Sequence, residues 1–208
     1  MIGVQPISQY GGFDRGLPAH RYYVQQFLQE FSPCIHGHCL EFHENLYTSR
    51  YGGSRVAKID ILSKEDDNPR ATIVADLTKV PNIPSNLFDC IICTHTLHMI
   101  LEVDKAISEL YRILKPRGVL LVAVPTIGRA YAECHEKWRF TPEGLQLLLA
   151  RVFGDENVLV RAYGNSLTAA GTLRGLVAHE FTREELNYHD LRFTLETCAK
   201  ATKQSSLN

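Results

Sequence analysis

The chain has 208 residues, 45% hydrophobic and 22% charged, with 22 Lys+Arg against 23 Asp+Glu, a composition that suits one soluble globular domain with a large core. The near-neutral balance leaves no basic stripe for nucleic acid, no apolar run approaches the ~20 residues of a membrane helix, and the N-terminus lacks a signal-peptide pattern. The six cysteines are scattered, three of them in expected buried strands, which points to free thiols in a reducing compartment, with the cytoplasm as the expected location.

In chain order, residues 1–17 contain Gly11-Gly12 and little periodicity, and read as a flexible arm or lid. Pro18 to Phe31 reads as a helix, because Val24, Phe27, Leu28 and Phe31 recur at helical spacing. His38–Phe42, Val56–Ile61 and Ala71–Ala75 read as three short strands. The clearest unit follows. Cys90 to Cys93 is a short apolar run suited to a strand buried on both faces, with Cys90 and Cys93 pointing to opposite sides. Val103, Ile107, Leu110 and Leu114 mark one face of a helix that Pro116 ends, Gly118 allows a tight return, and Val119 to Val124 is a further strand. Strand, crossover helix and strand imply a parallel sheet, with ligands expected beyond the carboxyl ends of its strands.

Thr141 as cap and Pro142 at the first position start another helix, with Leu145, Leu148, Leu149 and Val152 on one face. Asn157–Ala162 reads as a sixth strand, Ser166–His179 as a helix, Thr182 to Glu185 as a capping box and Leu191–Cys198 as a last strand. A frayed polar tail is expected over 201–208. The alternation describes a doubly wound α/β sandwich in a single domain, 1–208.

Asp76 after the third strand, Phe88-Asp89 opening the fourth, and Arg112-Ile113-Leu114-Lys115-Pro116-Arg117-Gly118 before the fifth resemble the small-molecule branch of the class I S-adenosylmethionine-dependent methyltransferases, over roughly residues 20–165. The resemblance implies a Rossmann-like sheet of seven strands with the last antiparallel, and S-adenosylmethionine as cofactor. It also implies cofactor positions. Glu41 would lie near the methionine amino group, with Phe42 and His43 beside it. Asp60, with Ile61, would accept from the ribose hydroxyls, as an acid about 20 residues on usually does. Asp76 and the Leu77 amide would meet the adenine, and Thr94 and His95 would lie near the adenine and the sulfonium centre. One departure stands out. The family's Gly-x-Gly after the first strand is replaced by Phe42-His43-Glu44-Asn45.

Methyl transfer from a sulfonium depends mainly on alignment, and a base helps when the acceptor is a hydroxyl. His98, His95 and His135 are the candidate bases, histidine being the side chain that titrates near neutrality. Tyr22, Tyr23 and Tyr131 are candidates for closing a substrate pocket, Arg21 and Arg139 for clamping an anionic group, and Trp138-Arg139-Phe140-Thr141 for a substrate wall. No metal is expected, since His36-x-His38 beside Cys34 and Cys39 fits no structural zinc spacing. The expected activity is O-methylation of a small-molecule hydroxyl or carboxylate (a glycan, natural product or peptide-derived metabolite). The expected partner is that acceptor, with no nucleic acid or membrane, acting as monomer or homodimer. The alternative is a methyltransferase-fold binding or accessory protein without catalysis. A nicotinamide dehydrogenase is disfavoured, because it too needs the missing glycines.

Overall fold

The hydrophobic pattern builds one seven-stranded sheet with helices on both faces. The computed structural model describes residues 3–131 and 135–205. The elements are α1 (Ala19–Glu30), β1 (Gly37–Phe42), β2 (Val56–Ser63), β3 (Ile73–Val74), β4 (Phe88–Thr94), α2 (Val103–Ile113), β5 (Leu114–Pro125), α3 (Pro142–Phe153), β6 (Val158–Tyr163), α4 (Ser166–Arg174), α5 (Arg183–Asn187) and β7 (Glu196–Thr202). The strand order is β3-β2-β1-β4-β5-β7-β6. β1 to β5 are mutually parallel, and β7 runs antiparallel between β5 and β6. The order reverses between β1 and β4, and that switch point is where an open α/β sheet leaves a crevice.

Alternation along β4 divides the core. Cys90 and Ile92 join α1 residues Tyr23, Val24, Phe27 and Leu28, whereas Ile91 and Cys93 join α2 residues Ile107 and Leu110. The two cysteines therefore face opposite sides, as their spacing requires. α2 buries Val103, Ala106, Ile107, Leu110 and Ile113, one stripe at helical period. At an irregularity early in β5, Arg117 takes the left-handed conformation at φ 66°, while Gly118 is needed for room: an added Cβ would come within 2.8 Å of the Lys115 carbonyl. The Thr141 hydroxyl accepts from the Gly144 amide at 3.0 Å and starts α3 as read from the sequence.

Several boundaries differ from the sequence reading; β3 is only Ile73–Val74, and β5 begins at Leu114, which the sequence reading placed in the helix. β2 continues through Leu62 and Ser63, because the apolar run continues, so Asp60 lies inside the strand rather than at its end. α4 stops at Arg174, where Gly175 adopts a left-handed conformation (φ 85°) and the chain turns toward Val177. The last strand is displaced toward the C-terminus. Asp190 accepts from the Arg192 amide and holds Leu191–Phe193 in a helical turn, and β7 then runs to Thr202. The expected frayed tail over 201–208 thus starts inside a strand. Lys203 is also anchored, its Nζ donating to the carbonyls of Tyr111 and Leu114 at 2.8 Å, and residues 206–208 lie outside the described residues.

The described part of the N-terminal arm is tied to the molecule. The Ile7 amide donates to the Arg174 carbonyl at 2.7 Å, the Ala178 amide donates to that of Leu17 at 2.7 Å, and Arg15 pairs with Glu180 at 2.6 Å. Among the described residues no helix is long and apolar enough to cross a membrane, no cluster of three or more metal-ligating side chains occurs, and Cys34, Cys39, Cys90, Cys93 and Cys198 are free thiols.

Candidate active site

Two strand ends meet at the switch point, and the residue after each is a strained histidine. His43 follows β1 at φ 65° and His95 follows β4 at φ 49°. Left-handed backbone at a non-glycine residue costs energy and tends to mark functional positions. The His95 amide donates to the Ala123 carbonyl at 2.8 Å, which fixes the turn against β5.

Around His95 the fold gathers acids and histidines from four segments. His95 Nε2 lies 2.9 Å from Oε1 of Glu196, which begins β7 and is fully buried. The His20 ring, in the first turn of α1, is 5.3 Å from that of His95, and the His98 ring is 5.9 Å away on the other side. His98 Nε2 is 3.3 Å from Glu136, whose other oxygen accepts from Arg139 at 2.5 Å. A cavity of about 50 Å³ opens beside this group, walled by His20, His95, Glu136, Thr172 and Glu196, with Gly11 and Tyr131 over it.

Burial sets the protonation states here. It pushes Glu196 up to about 7, against the opposing influence of His20, Arg21 and His98. It holds His95 well below its ordinary value, helped by the Arg21 charge. It lowers His20 to about 3 and His98 to about 4. At neutral pH these are neutral imidazoles beside a carboxyl group poised at its own titration point. When Glu196 is ionised, its bond to Nε2–H fixes the His95 tautomer and leaves Nδ1 as a proton acceptor.

The other sequence candidates fall into two groups. Glu41 is buried at the end of β1 and accepts from the Tyr47 and Thr48 amides at 3.1 and 2.7 Å, which caps the turn that replaces the glycine loop. Burial pushes it up to about 7 as well. Phe42 is buried in the core, whereas His43 is exposed. Asp76 lies at the carboxyl edge beside β3 and accepts from the Thr78 amide and hydroxyl at 2.9 and 2.7 Å, which hold its carboxyl below the usual range. Leu77 is buried next to it, and Thr94 ends β4.

Asp60 is the main correction. It sits three residues before the end of β2, its register partner Leu40 lies one residue before Glu41, and its carboxylate is occupied. His38 Nε2 lies 2.6 Å from it, Thr72 Oγ1 donates at 2.9 Å and Lys58 stands at 3.1 Å. Burial raises its pKa, but these bonds outweigh burial and hold it low. Ile61 is buried one residue on, still within the strand, and Ser63 is the residue at the strand end where a ribose acceptor was expected.

The substrate candidates scatter. Tyr23 is fully buried and stacks on Tyr163 with centroids 5.7 Å apart, so it belongs to the core. Tyr22 lines a separate groove with Phe181 and Asn187. Arg21 donates to the Tyr47 hydroxyl at 3.2 Å, and Tyr131 covers the His95 cavity. Trp138 donates to the Ile100 carbonyl at 2.8 Å and Arg139 pairs with Glu136, so both hold the segment after β5 onto the His98 loop. His135 is exposed in an open groove with Trp138 and Arg139, outside the group around His95. His20, Glu136, Thr172 and Glu196 were not singled out from the sequence. The one available signal was Glu196, an acid inside the expected last strand.

Comparison with known proteins agrees with this fold. A family described as methyltransferase domain matches residues 40–122, from β1 into β5. The ubiquinone/menaquinone biosynthesis C-methyltransferase UbiE of Yersinia enterocolitica is 29% identical over 85 residues, covering 31% of this chain and 34% of that protein. The enzyme of the same name from Pasteurella multocida is 28% identical over 85 residues, covering 31% and 32%. The match spans about a third of the length of these curated relatives. Among solved structures, a SAM-dependent methyltransferase from Archaeoglobus fulgidus superposes with TM-score 0.61 at 15% identity, over 94% of this chain and all of the other. Phosphoethanolamine N-methyltransferase 2 of Haemonchus contortus, in complex with S-adenosylhomocysteine, gives 0.56 at 15% identity, over 98% and 54%. The [4+2]-cyclase SpnF gives 0.55 at 15% identity, over 98% and 89%, so the fold by itself does not name the reaction.

Proposed function

We propose that this chain is a class I S-adenosylmethionine-dependent methyltransferase that methylates a hydroxyl oxygen of a small molecule, with His95 as general base and Glu196 behind it. The observation that carries the reading is the His95–Glu196 pair, joined at 2.9 Å at the carboxyl edge of β4 and facing a cavity. A carboxylate acceptor needs no base, whereas a hydroxyl gains roughly 10²–10⁴-fold from one. A built base therefore favours the hydroxyl.

The residues present fit the cofactor best at the adenine contact, since the Glu41 carboxylate, like that of Asp60, is taken up within the protein. Asp76 and the Leu77 amide would take the adenine, and the Glu41–His43 turn with Thr94 would border the methionine end. Asp60 is withdrawn from the ribose, which leaves the β2 end at Ser63 to supply that contact. When bound, S-adenosylmethionine supplies a methyl group on a positively charged sulfur that leaves as a neutral thioether. The chain's part is to orient the acceptor, to exclude water beneath Gly11 and Tyr131, and to take the hydroxyl proton at His95 Nδ1 while Glu196 steadies Nε2–H.

A second reading is a binding protein of the same fold without turnover. The observation behind it is the β1 turn, where Phe42 and His43 stand in place of glycines. Calorimetric titration with S-adenosylhomocysteine and S-adenosylmethionine, followed by tritiated methyl transfer to a panel of hydroxyl acceptors, separates the two. Micromolar binding with transfer to an alcohol supports the enzyme. Binding without transfer to any acceptor favours the second reading, and no binding by folded protein refutes the first.

A further inference from the structure

Two residues that line the cavity beside His95 each carry a buried polar atom that the rest of the described residues leave unpartnered. Glu196, fully buried, bonds His95 through Oε1, and its Oε2 has no partner. Thr172, 8% exposed on α4, lines the same cavity, and its Oγ1 is also without a partner. Buried polar atoms are almost always paired, so two orphans from different elements on one small cavity point to a ligand that pairs them.

We propose that the acceptor presents two neighbouring hydroxyls here: the one to be methylated on His95, and a second held between Glu196 and Thr172. This deepens, and rests on, the methyl-transfer reading above. The chemistry selects a hydroxyl for the second contact. Glu196 titrates near neutrality, so its free oxygen must be satisfied whether it accepts or donates, and Thr172 can do either. A hydroxyl also does both. An ammonium cannot accept from a protonated Glu196, and a carboxylate is repelled by an ionised one. The cavity, about 50 Å³, has room for a few water-sized groups, so it takes the reacting end of the acceptor and leaves the remainder outside. The ligand class is a vicinal diol or a polyol.

The test uses cis-1,2-cyclohexanediol against cyclohexanol on the full chain, by saturation-transfer NMR, each with and without S-adenosylhomocysteine. The wild type is expected to bind the diol at least fivefold more tightly than the monoalcohol. Thr172→Val is expected to abolish that preference, and Thr172→Ser, which keeps the hydroxyl, to retain it, both with unchanged S-adenosylhomocysteine affinity. Should Thr172→Val fail to fold, Thr172→Ala takes its place. Equal affinity for the two alcohols, a preference that survives loss of the hydroxyl, or no detectable binding of either overturns the proposal and leaves water as the partner of both atoms. Failure of the methyl-transfer reading shows separately, as no binding of S-adenosylhomocysteine to the wild type, and the alcohol comparison without it is still decisive.

Discussion

Replacing Glu196 with glutamine tests the electrostatics of the site through stability, without any knowledge of the acceptor. In the folded chain burial raises the Glu196 pKa from 4.5 to about 7. One unit corresponds to about 1.4 kcal/mol, so ionising this carboxyl in place costs the fold about 3 kcal/mol relative to ionising it in the unfolded chain. The sign follows from the raised value. The contribution to stability is fully present below pH 4.5, declines between 4.5 and about 7, and is gone above. Glu196→Gln has no such decline. At about 2–4 °C per kcal/mol for a chain of this size, the melting temperature of the variant minus that of the wild type should rise by about 6–12 °C from pH 4.5 to pH 8. Differential scanning calorimetry across that range reads it. Glu41, also raised to about 7, titrates in both proteins and cancels in the difference. A difference that stays flat with pH would show that Glu196 ionises normally, and the poised dyad would be wrong. The same titration makes the base competent, so wild-type turnover should climb as pH rises through 7.

Other substitutions separate chemistry from cofactor binding and from packing. His95→Ala should lower methyl transfer by about 10²–10⁴-fold and leave S-adenosylhomocysteine affinity nearly unchanged, as measured by tritium transfer and calorimetry. Asp76→Ala should weaken S-adenosylhomocysteine binding several-fold with little effect on melting. Asp60→Ala should do the reverse. It leaves His38 and Thr72 without their partner, at about 1–3 kcal/mol in urea unfolding, while cofactor affinity holds. If Asp60→Ala instead abolished binding in a folded protein, the withdrawn position of that carboxylate would be refuted.

The fold was legible where local signals agreed. β4, α2 and β5 carry a continuous apolar run, a helical stripe and a helix-ending Pro-Arg-Gly in succession, and each signal restricts the same backbone. Boundaries failed where an apolar run outlasted its functional landmark. Asp60 looked like a strand end because an acid was expected there, yet Ile61, Leu62 and Ser63 continue β2. The candidate site was half legible. His95 and His98 follow a readable strand end. Their partners do not, because Glu196 lies about a hundred residues later and His20 some seventy-five earlier. Only the antiparallel return of β7 and the seating of α1 on the sheet bring them together. Trp138 and Arg139, read as a substrate wall, also fasten their own segment, Trp138 to the Ile100 carbonyl and Arg139 to Glu136.

The turn after β1 weighs least against an enzyme when its backbone is separated from its side chains. In the family pattern glycines permit a left-handed turn and let the cofactor approach the main chain closely. His43 adopts that left-handed conformation, at φ 65°, despite its Cβ, and its side chain is exposed. The backbone geometry that the glycines would provide is thus present at His43. The Glu41 carboxylate beside it turns inward to the Tyr47 and Thr48 amides. Left-handed histidines stand at this position and at the facing strand end, 52 residues apart in sequence, the second held by the Ala123 carbonyl and the buried Glu196. Both persist at the one edge of the sheet where the topology leaves a crevice, and there a ligand gives the strain a use.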